Sequence, residues 1–511
     1  MTIREKALTW WGSQAKKNIY VVSAAEIPDR RLREYLKKAG YLFPVSRGYW
    51  ALKKPEEDAL EVFPLIYWQA VPKILSSFIW SLRGSSALAI YNGVQATQEQ
   101  LLVRTKEKTN WSVTLPLGFT VNLRYDNNFD ERLIKKVEVA GRSIPVDIPE
   151  LVLTELDKAP FKEVQSFVVG MGFDKLLLEA IYARRPRPVV FKRLVSLAKK
   201  TSRLDLVSDL ENIIEAYTHY QVSKREVIGP DEPFVKTEVI NPPWVIRQEE
   251  QIQEFEAVLD KDLKAKISKV KKRPLKELLA QARDHKKYDT YHSTTLEGYQ
   301  ITPEQVDALL SGIVPENRNE AEYFDKLRNQ MAIIGYSEAF DFVLEKVESD
   351  FGKPKVTEQL VKQAYAKLFK PSLDAGIVDL ISLTAYRNMA AFIRGTTYVP
   401  PSWEKLPDLM PSFENSMAGI KNPVVRAILT HYFFVAIHPY IDGNGRTARL
   451  LMNYALLASG YSWITVRADQ RAQYFSALNK GTVDGDILPF GRFILEMLKE
   501  ASKDNKEKSG H

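Results

Sequence analysis

The chain has 511 residues, 45% of them hydrophobic, with no cysteine and a formal net charge of +8. That is apolar material for two or three domains, each with its own core, and it excludes disulfides and thiolate metal sites. The six histidines (His219, His285, His292, His431, His438 and His511) are too scattered for a histidine zinc site, so any metal is expected to be a hard cation on oxygen ligands.

The N-terminal stretch lacks the apolar core of a signal peptide, and no later stretch reaches the length of a membrane span, so no membrane contact and a cytoplasmic location are expected. Residues 1–60 then read as a small unit. SAAEI and PDRRLREYLKKAG have the look of short helices, and YLFPVSRGYWALKK alternates like two strands turned at Ser46-Arg47-Gly48. These are the parts of a winged helix. Arg30, Arg31, Arg33, Lys37, Lys38, Arg47, Lys53 and Lys54 give it a local basic excess suited to DNA phosphates, although a solvated amphipathic helix beside an ordinary hairpin would carry the same charges. Residues 61–215 mix strand patterns (LLVRTKEK, WSVTLPLGFTVNLRY, KKVEVAGRSIPVDI) with helical ones (IPELVLTELDKA, KLLLEAIYA, VVFKRLVSLAKKTS), as an α+β domain would. The order of elements over the first 215 residues, with SLRGSSALAIYNGV ahead of the short strands, resembles the AbiEi-type antitoxin and regulator family. That resemblance implies an N-terminal winged helix and a toxin–antitoxin setting.

Residues 222–250 carry four prolines among polar residues and are read as a linker. Beyond it the chain is helical almost throughout: a segment at 251–310, a larger helical body at 311–502 interrupted between Tyr386 and Pro401, and a frayed tail at 503–511.

The densest chemistry lies in HPYIDGNGRTAR, residues 438–449. An apolar helix opened by Asn422-Pro423 delivers His438. Asp442-Gly443-Asn444-Gly445 then bends the chain, because glycine and asparagine reach positive φ at little cost, and successive amides in such a turn form a nest for an anion. A new helix starting near Arg446 adds its free N–H groups and dipole, and Arg446 and Arg449, three apart, share a face. Two guanidiniums beside an amide nest suit a di- or triphosphate. His438 can take a proton from an incoming hydroxyl, and Asp442 can hold magnesium beside phosphates.

This dodecamer resembles the Fic-family motif HPFx(D/E)GNGRxxR, with Tyr440 in place of phenylalanine. The resemblance implies an all-α catalytic core with a β-hairpin flap, and ATP and Mg2+ as substrate and cofactor. It casts His438 as general base, Asp442 as metal ligand, and Gly443, Asn444, Gly445, Arg446 and Arg449 as phosphate binders. The usual reaction is AMP transfer to a Ser, Thr or Tyr hydroxyl of a target protein or of the enzyme itself. Members that remove AMP use a closely similar loop.

Two further stretches take meaning from the same resemblance. YRNMAAFIRGTTYVPPSWEKLPDLM, residues 386–410, resembles the Fic flap, whose hairpin around Arg394, Gly395, Thr396 and Thr397 would hold the target by strand addition. His292-Ser293-Thr294-Thr295-Leu296-Glu297-Gly298 resembles the inhibitory motif (S/T)xxxE(G/N), with Ser293 and Glu297 one helical turn apart. It implies that Glu297 pairs with Arg449 and displaces the terminal phosphate of ATP. Tyr474 is read as core or as a cover for the adenine ring, and His431 as a packing histidine.

The expected architecture is multidomain and mainly α, with a winged helix and an α+β domain ahead of a Fic-type helical core. The expected activity is that of an autoinhibited protein adenylyltransferase. The alternatives are a DNA-binding, antitoxin-like regulator with a nucleotide-sensing Fic domain, and a deAMPylase. Homo-oligomerisation is open, since many Fic proteins control inhibition through it.

Overall fold

The computed structural model describes residues 2–94, 98–156, 159, 161–218, 241–311, 320–393 and 395–503. The chain forms two compact units, Met1–Arg247 with Phe392–Ser402, and Gln248–Ala391 with Trp403–His511.

The first unit opens with helix Ile3–Lys16, started by a capping box between Thr2 and Glu5. A second helix, Arg30–Lys38, is N-capped by Asp29. Strands β1 (Val21–Ser23), β2 (Leu42–Ser46) and β3 (Tyr49–Leu52) form an antiparallel sheet in the order β1-β3-β2. The expected helix at SAAEI is instead the end of β1 followed by a turn. Five residues ahead of Pro28 are too few to nucleate a helix, and β1 gains ladder bonds to β3.

Alternation along these strands serves two cores. Val21, Phe43 and Ala51 join the large core, while Val22, Leu42 and Leu52 join a small one with Leu32 and Leu36. Helix Ala59–Ile74 contributes Phe63, Tyr67, Ala70 and Val71 to that large core, so residue 60 marks no break between separate bodies.

The α+β part is built on six strands: β4 (Trp80–Leu82), β5 (Gln100–Thr105), β6 (Trp111–Thr114), β7 (Thr120–Tyr125), β8 (Ile134–Val139) and β9 (Arg142–Asp147). Their order is β6-β7-β5-β4-β9-β8, with β5–β7 and β4–β9 parallel and the other pairs antiparallel. Within it Arg104, 5% exposed, meets Asp126 at 2.8 Å, Asp147 at 2.5 Å and Glu155 at 2.8 Å.

The linker reading of 222–250 needs correction at its end. Residues 222–240 lie outside the described residues, but helix Pro243–Ile267 already covers the remainder. Proline is tolerated in a first helical turn, so Pro243 starts a helix rather than preventing one.

Among its described residues the second unit has helices and no strand. Pro423–Ile437 and Asn444–Leu457 run through its middle, and nearly every side chain on both is buried. On the first this follows from a largely apolar sequence, whereas the second also buries polar side chains, among them Asn444, Arg446, Arg449 and Asn453. Around them lie helices Leu275–Leu296, Pro303–Leu310, Glu320–Asp350, Glu358–Asp374, Leu406–Gly419, Arg471–Asp484 and Leu488–Lys503. The last runs to Lys503, and the rest of the expected tail, 504–511, lies outside the described residues.

The expected β-hairpin over 386–410 is not formed: no strand occurs among its described residues. Two short strands with no third to pair with are marginal by themselves, and the prolines at 400 and 401 lack donors for a ladder. Arg394 lies outside the described residues, while Gly395, Thr396 and Thr397 fall in the stretch assigned to the first unit.

Candidate active site

The loop between the two central helices begins with a conformational exception. His438 caps Pro423–Ile437 in the left-handed region, φ 52° and ψ 59°, which costs a non-glycine residue on the order of 1 kcal/mol. Its Nδ1 lies 3.2 Å from the Val435 carbonyl oxygen. A carbonyl only accepts, so Nδ1 carries the proton and the neutral ring keeps its lone pair on Nε2. Desolvation is the main cause that lowers the pKa of His438 to about 4, with the nearby Arg387 charge acting the same way and the Val435 bond, Glu297 and Asp442 opposing. The ring is therefore neutral at pH 7.

The turn is held by its own side chains. Asn444 accepts from the Tyr440 N–H at 3.0 Å and donates to the Tyr440 carbonyl at 2.7 Å. Its side chain is thus committed to shaping the loop rather than facing a ligand. Tyr440 stacks on Tyr365 with ring centroids 3.6 Å apart and planes 5° from parallel, which keeps the aromatic anchor despite the change from phenylalanine. Gly443 sits at φ 78°, and a Cβ there would strike Phe369, so this position needs glycine twice over.

Both arginines of the following helix are buried. Arg446 lies between the rings of Tyr299 and Phe369, its guanidinium 4.9 and 5.1 Å from their centroids, and bonds the Tyr299 hydroxyl at 3.2 Å. Its Nε and Nη1 have no hydrogen-bond partner among the described residues. A buried guanidinium with unanswered N–H groups at a helix N-terminus is suited to an anionic ligand. Arg449 Nη2 donates to the Ser293 carbonyl at 2.7 Å and to Glu297 Oε1 at 2.7 Å, and Nε reaches Ser293 Oγ at 3.3 Å.

Glu297 is the C-cap of helix Leu275–Leu296, and Gly298 turns the chain away at φ 89°. The carboxylate lies against the backbone of Gly445, where an added Cβ would collide with Oε1. An anion from the protein itself therefore lies against the start of the helix Asn444–Leu457. The expected Glu297–Arg449 pair is present as geometry, with Ser293 beside it.

Asp442 has a side chain 43% exposed; its Oδ1 accepts from the Gly443 N–H at 2.6 Å, and its Oδ2 lies 3.3 Å from the Tyr299 hydroxyl and 3.5 Å from Arg446. Among the described residues no group of three His, Cys, Asp or Glu could cage a metal. One exposed carboxylate at a phosphate-suited loop nonetheless fits magnesium, which keeps waters and shares its ligands with substrate phosphates.

Tyr474 does not form a cover. It is buried, its hydroxyl 2.8 Å from His431 Nε2, with Phe490 and Phe493 packed around it, so it is a core residue. That bond holds His431 in the core through Nε2, while its buried Nδ1 has no hydrogen-bond partner among the described residues.

Three residues of this neighbourhood carried no sequence signal. Tyr299, in the connection after helix Leu275–Leu296, and Phe369, on helix Glu358–Asp374, sandwich Arg446 from far along the chain. Arg387, 3% exposed, lies in an irregular stretch and grips the backbone at His438.

The fold and site define an anion-suited loop between two buried helices, fronted by a neutral histidine. Residues 355–456 match the Fic/DOC family, and the chain thus carries a Fic domain. A protein adenylyltransferase Fic from Drosophila mojavensis is 33% identical over 215 residues, 40% of this chain and 38% of its own length. The corresponding protein of Drosophila grimshawi is 31% identical over 210 residues, covering 40% of each chain. The chain therefore spans about two fifths of the length of these curated relatives. The crystal structure of a Fic domain containing signaling protein from Bacteroides thetaiotaomicron covers 50% of this chain and 93% of its own, at 23% identity and a TM-score of 0.38.

Proposed function

We propose that the chain is a protein adenylyltransferase that transfers AMP from ATP to a hydroxyl of a target protein and is held in check by Glu297. The observation that carries this reading is the pairing of a neutral His438, lone pair on Nε2, with a buried Arg446 whose Nε and Nη1 await an anion. In the reaction Nε2 takes the proton of the target hydroxyl, the hydroxyl oxygen bonds to the α-phosphorus, and the α–β bridging bond breaks to release pyrophosphate. The amides of the 443–445 turn and Arg446 orient the phosphate chain. Magnesium, held by Asp442 and the phosphates, would supply charge neutralisation for the leaving group.

Glu297 opposes this because its carboxylate takes up both Arg449 Nη2 and the space over Gly445. A charge-assisted pair with a coupling of about 3 kcal/mol would suppress transfer on the order of a hundredfold. The test follows label from α- and γ-labelled ATP onto protein, with magnesium, for wild type, Glu297→Gly and Glu297→Gly/His438→Ala. Label from the α position only, increased in Glu297→Gly and lost in the double variant, is the expected result. Absence of label from either position would turn the reading toward AMP removal or another nucleotide.

A second reading concerns residues 1–60. Arg30, Arg31, Lys38, Arg47 and Lys54 are exposed there, whereas Lys53 is committed to three backbone carbonyls and Lys37 lies over Trp50. Five open cations on one small unit suit DNA phosphates. Full-length protein should retard duplex DNA at low salt, and Arg31→Glu/Arg47→Glu should weaken this. No retardation at any salt concentration would remove DNA from the account.

A further inference from the structure

Arg387 stands outside the 438–449 loop, 51 residues before His438, yet its contacts converge on that histidine's backbone. Its Nε donates to the His438 carbonyl at 2.7 Å, and its own backbone N–H donates to the Pro439 carbonyl at 2.9 Å. Nη1 reaches the Met389 carbonyl at 2.9 Å, and Nη2 approaches the Ile437 carbonyl at 3.5 Å.

These contacts have a physical logic. A helix ends with carbonyls that find no partner inside it, and a residue turned left-handed redirects those carbonyls off the helix axis. At 437–439 three successive carbonyls meet one buried arginine. A cation is also favoured at a helix C-terminus by the dipole. The left-handed turn at His438 costs on the order of 1 kcal/mol, so without something to hold it the ring would drift from the position facing the loop.

We propose that Arg387 is a positioning residue for His438, fixing the left-handed turn that presents Nε2 to the substrate hydroxyl. This rests on the reading of His438 as the base for AMP transfer. Arginine rather than lysine is required, because a planar fork spans several fixed carbonyls whereas an ammonium is a single point. The same guanidinium holds the carbonyl of Met389, an exposed residue, so the backbone that follows Arg387 and the catalytic turn share one clamp.

The test uses full-length protein in the Glu297→Gly background, with Arg387→Lys and Arg387→Met. Two quantities are read: kcat and KM for ATP in the transfer assay, and the titration and tautomer of His438 by NMR with isotope-labelled histidine. The resonance is assigned with His438→Ala, and the buried His431 reports on folding. A displaced base should lower kcat ten- to a hundredfold while KM for ATP stays within about twofold. Arg387, Glu297 and Asp442 are the charges acting on the His438 ring, and Glu297 is absent from this background. Loss of Arg387 should therefore raise the His438 midpoint in Arg387→Met. Arg387→Lys keeps the charge and should leave the midpoint closer to that of the parent while kcat still falls.

Unchanged kcat and an unchanged His438 titration in folded variants would overturn the proposal. So would a kcat loss in Arg387→Met fully restored by lysine, which would make the residue a simple charge. If the parent transfers no label at all, the adenylyltransferase reading fails, yet the His438 tautomer and midpoint still decide whether Arg387 holds the turn.

Discussion

At the scale of single residues, the contact between Glu297 and Gly445 makes a distinctive prediction. Gly445→Ala should destabilise the wild-type protein by about 1–3 kcal/mol, because the new methyl has to displace a carboxylate bonded to Arg449. In Glu297→Gly the carboxylate is gone, only Arg449 Nη1 at 3.3 Å stays close, and the cost should shrink; thermal unfolding of the four proteins of this cycle measures the coupling. A second prediction concerns pH. With the His438 pKa lowered to about 4, its base form persists well into acid, so kcat/KM for transfer should show no histidine-type decline between pH 8 and 6. A midpoint near 6.5 in that profile would count against the neutral, half-buried ring. The loop chemistry was legible in the sequence because it is local: residue types and spacing within a dozen positions define the nest, the histidine and the arginines. Arg387 and Tyr299 were not legible, since each acts across long separations and stands in no periodic pattern. Tyr474 shows the converse: helical spacing placed it on a helix, but only packing shows that it faces His431 and the core.

At the scale of elements, the helix carrying Glu297 is anchored along its length and not only at its cap. Asp289, one turn before Ser293, accepts from the Tyr336 hydroxyl at 2.7 Å and from Thr465 at 2.6 Å. Those bonds fix the rotation of Leu275–Leu296 and hence where Glu297 falls. In the sheet of the first unit, Arg104 joins three carboxylates: Asp126 just after β7, Asp147 at the end of β9, and Glu155 further along the chain. Arg104→Met would leave buried carboxylates uncompensated and should cost about 3–5 kcal/mol, read as a lower unfolding midpoint. The helices were legible from their apolar spacing, and so were the longer strands from alternation. SAAEI and the 386–410 hairpin were misread for one reason: short segments have too little pattern to decide their own structure, and the absence or presence of a pairing partner decides it for them.

At the scale of the whole molecule, two units with separate cores should unfold in two calorimetric transitions, and Arg104→Met should lower only one. The other transition should be the more acid-sensitive. Burial, aided by the Arg449 charge, lowers the pKa of His431 to about 3, whereas an unfolded histidine titrates near 6.5. Between those values the unfolded chain binds the extra proton, so the stabilising contribution is complete above pH 6.5 and is lost progressively as pH falls toward 3. His431→Gln should flatten that dependence relative to wild type. The left-handed turn at His438 carries a different consequence, one for the choice of an inert variant. Alanine at 438 removes the imidazole but leaves a Cβ in an unfavourable backbone region, whereas glycine removes both. His438→Gly should therefore melt a few degrees above His438→Ala, and the deadest version of the loop would also be the most comfortable one.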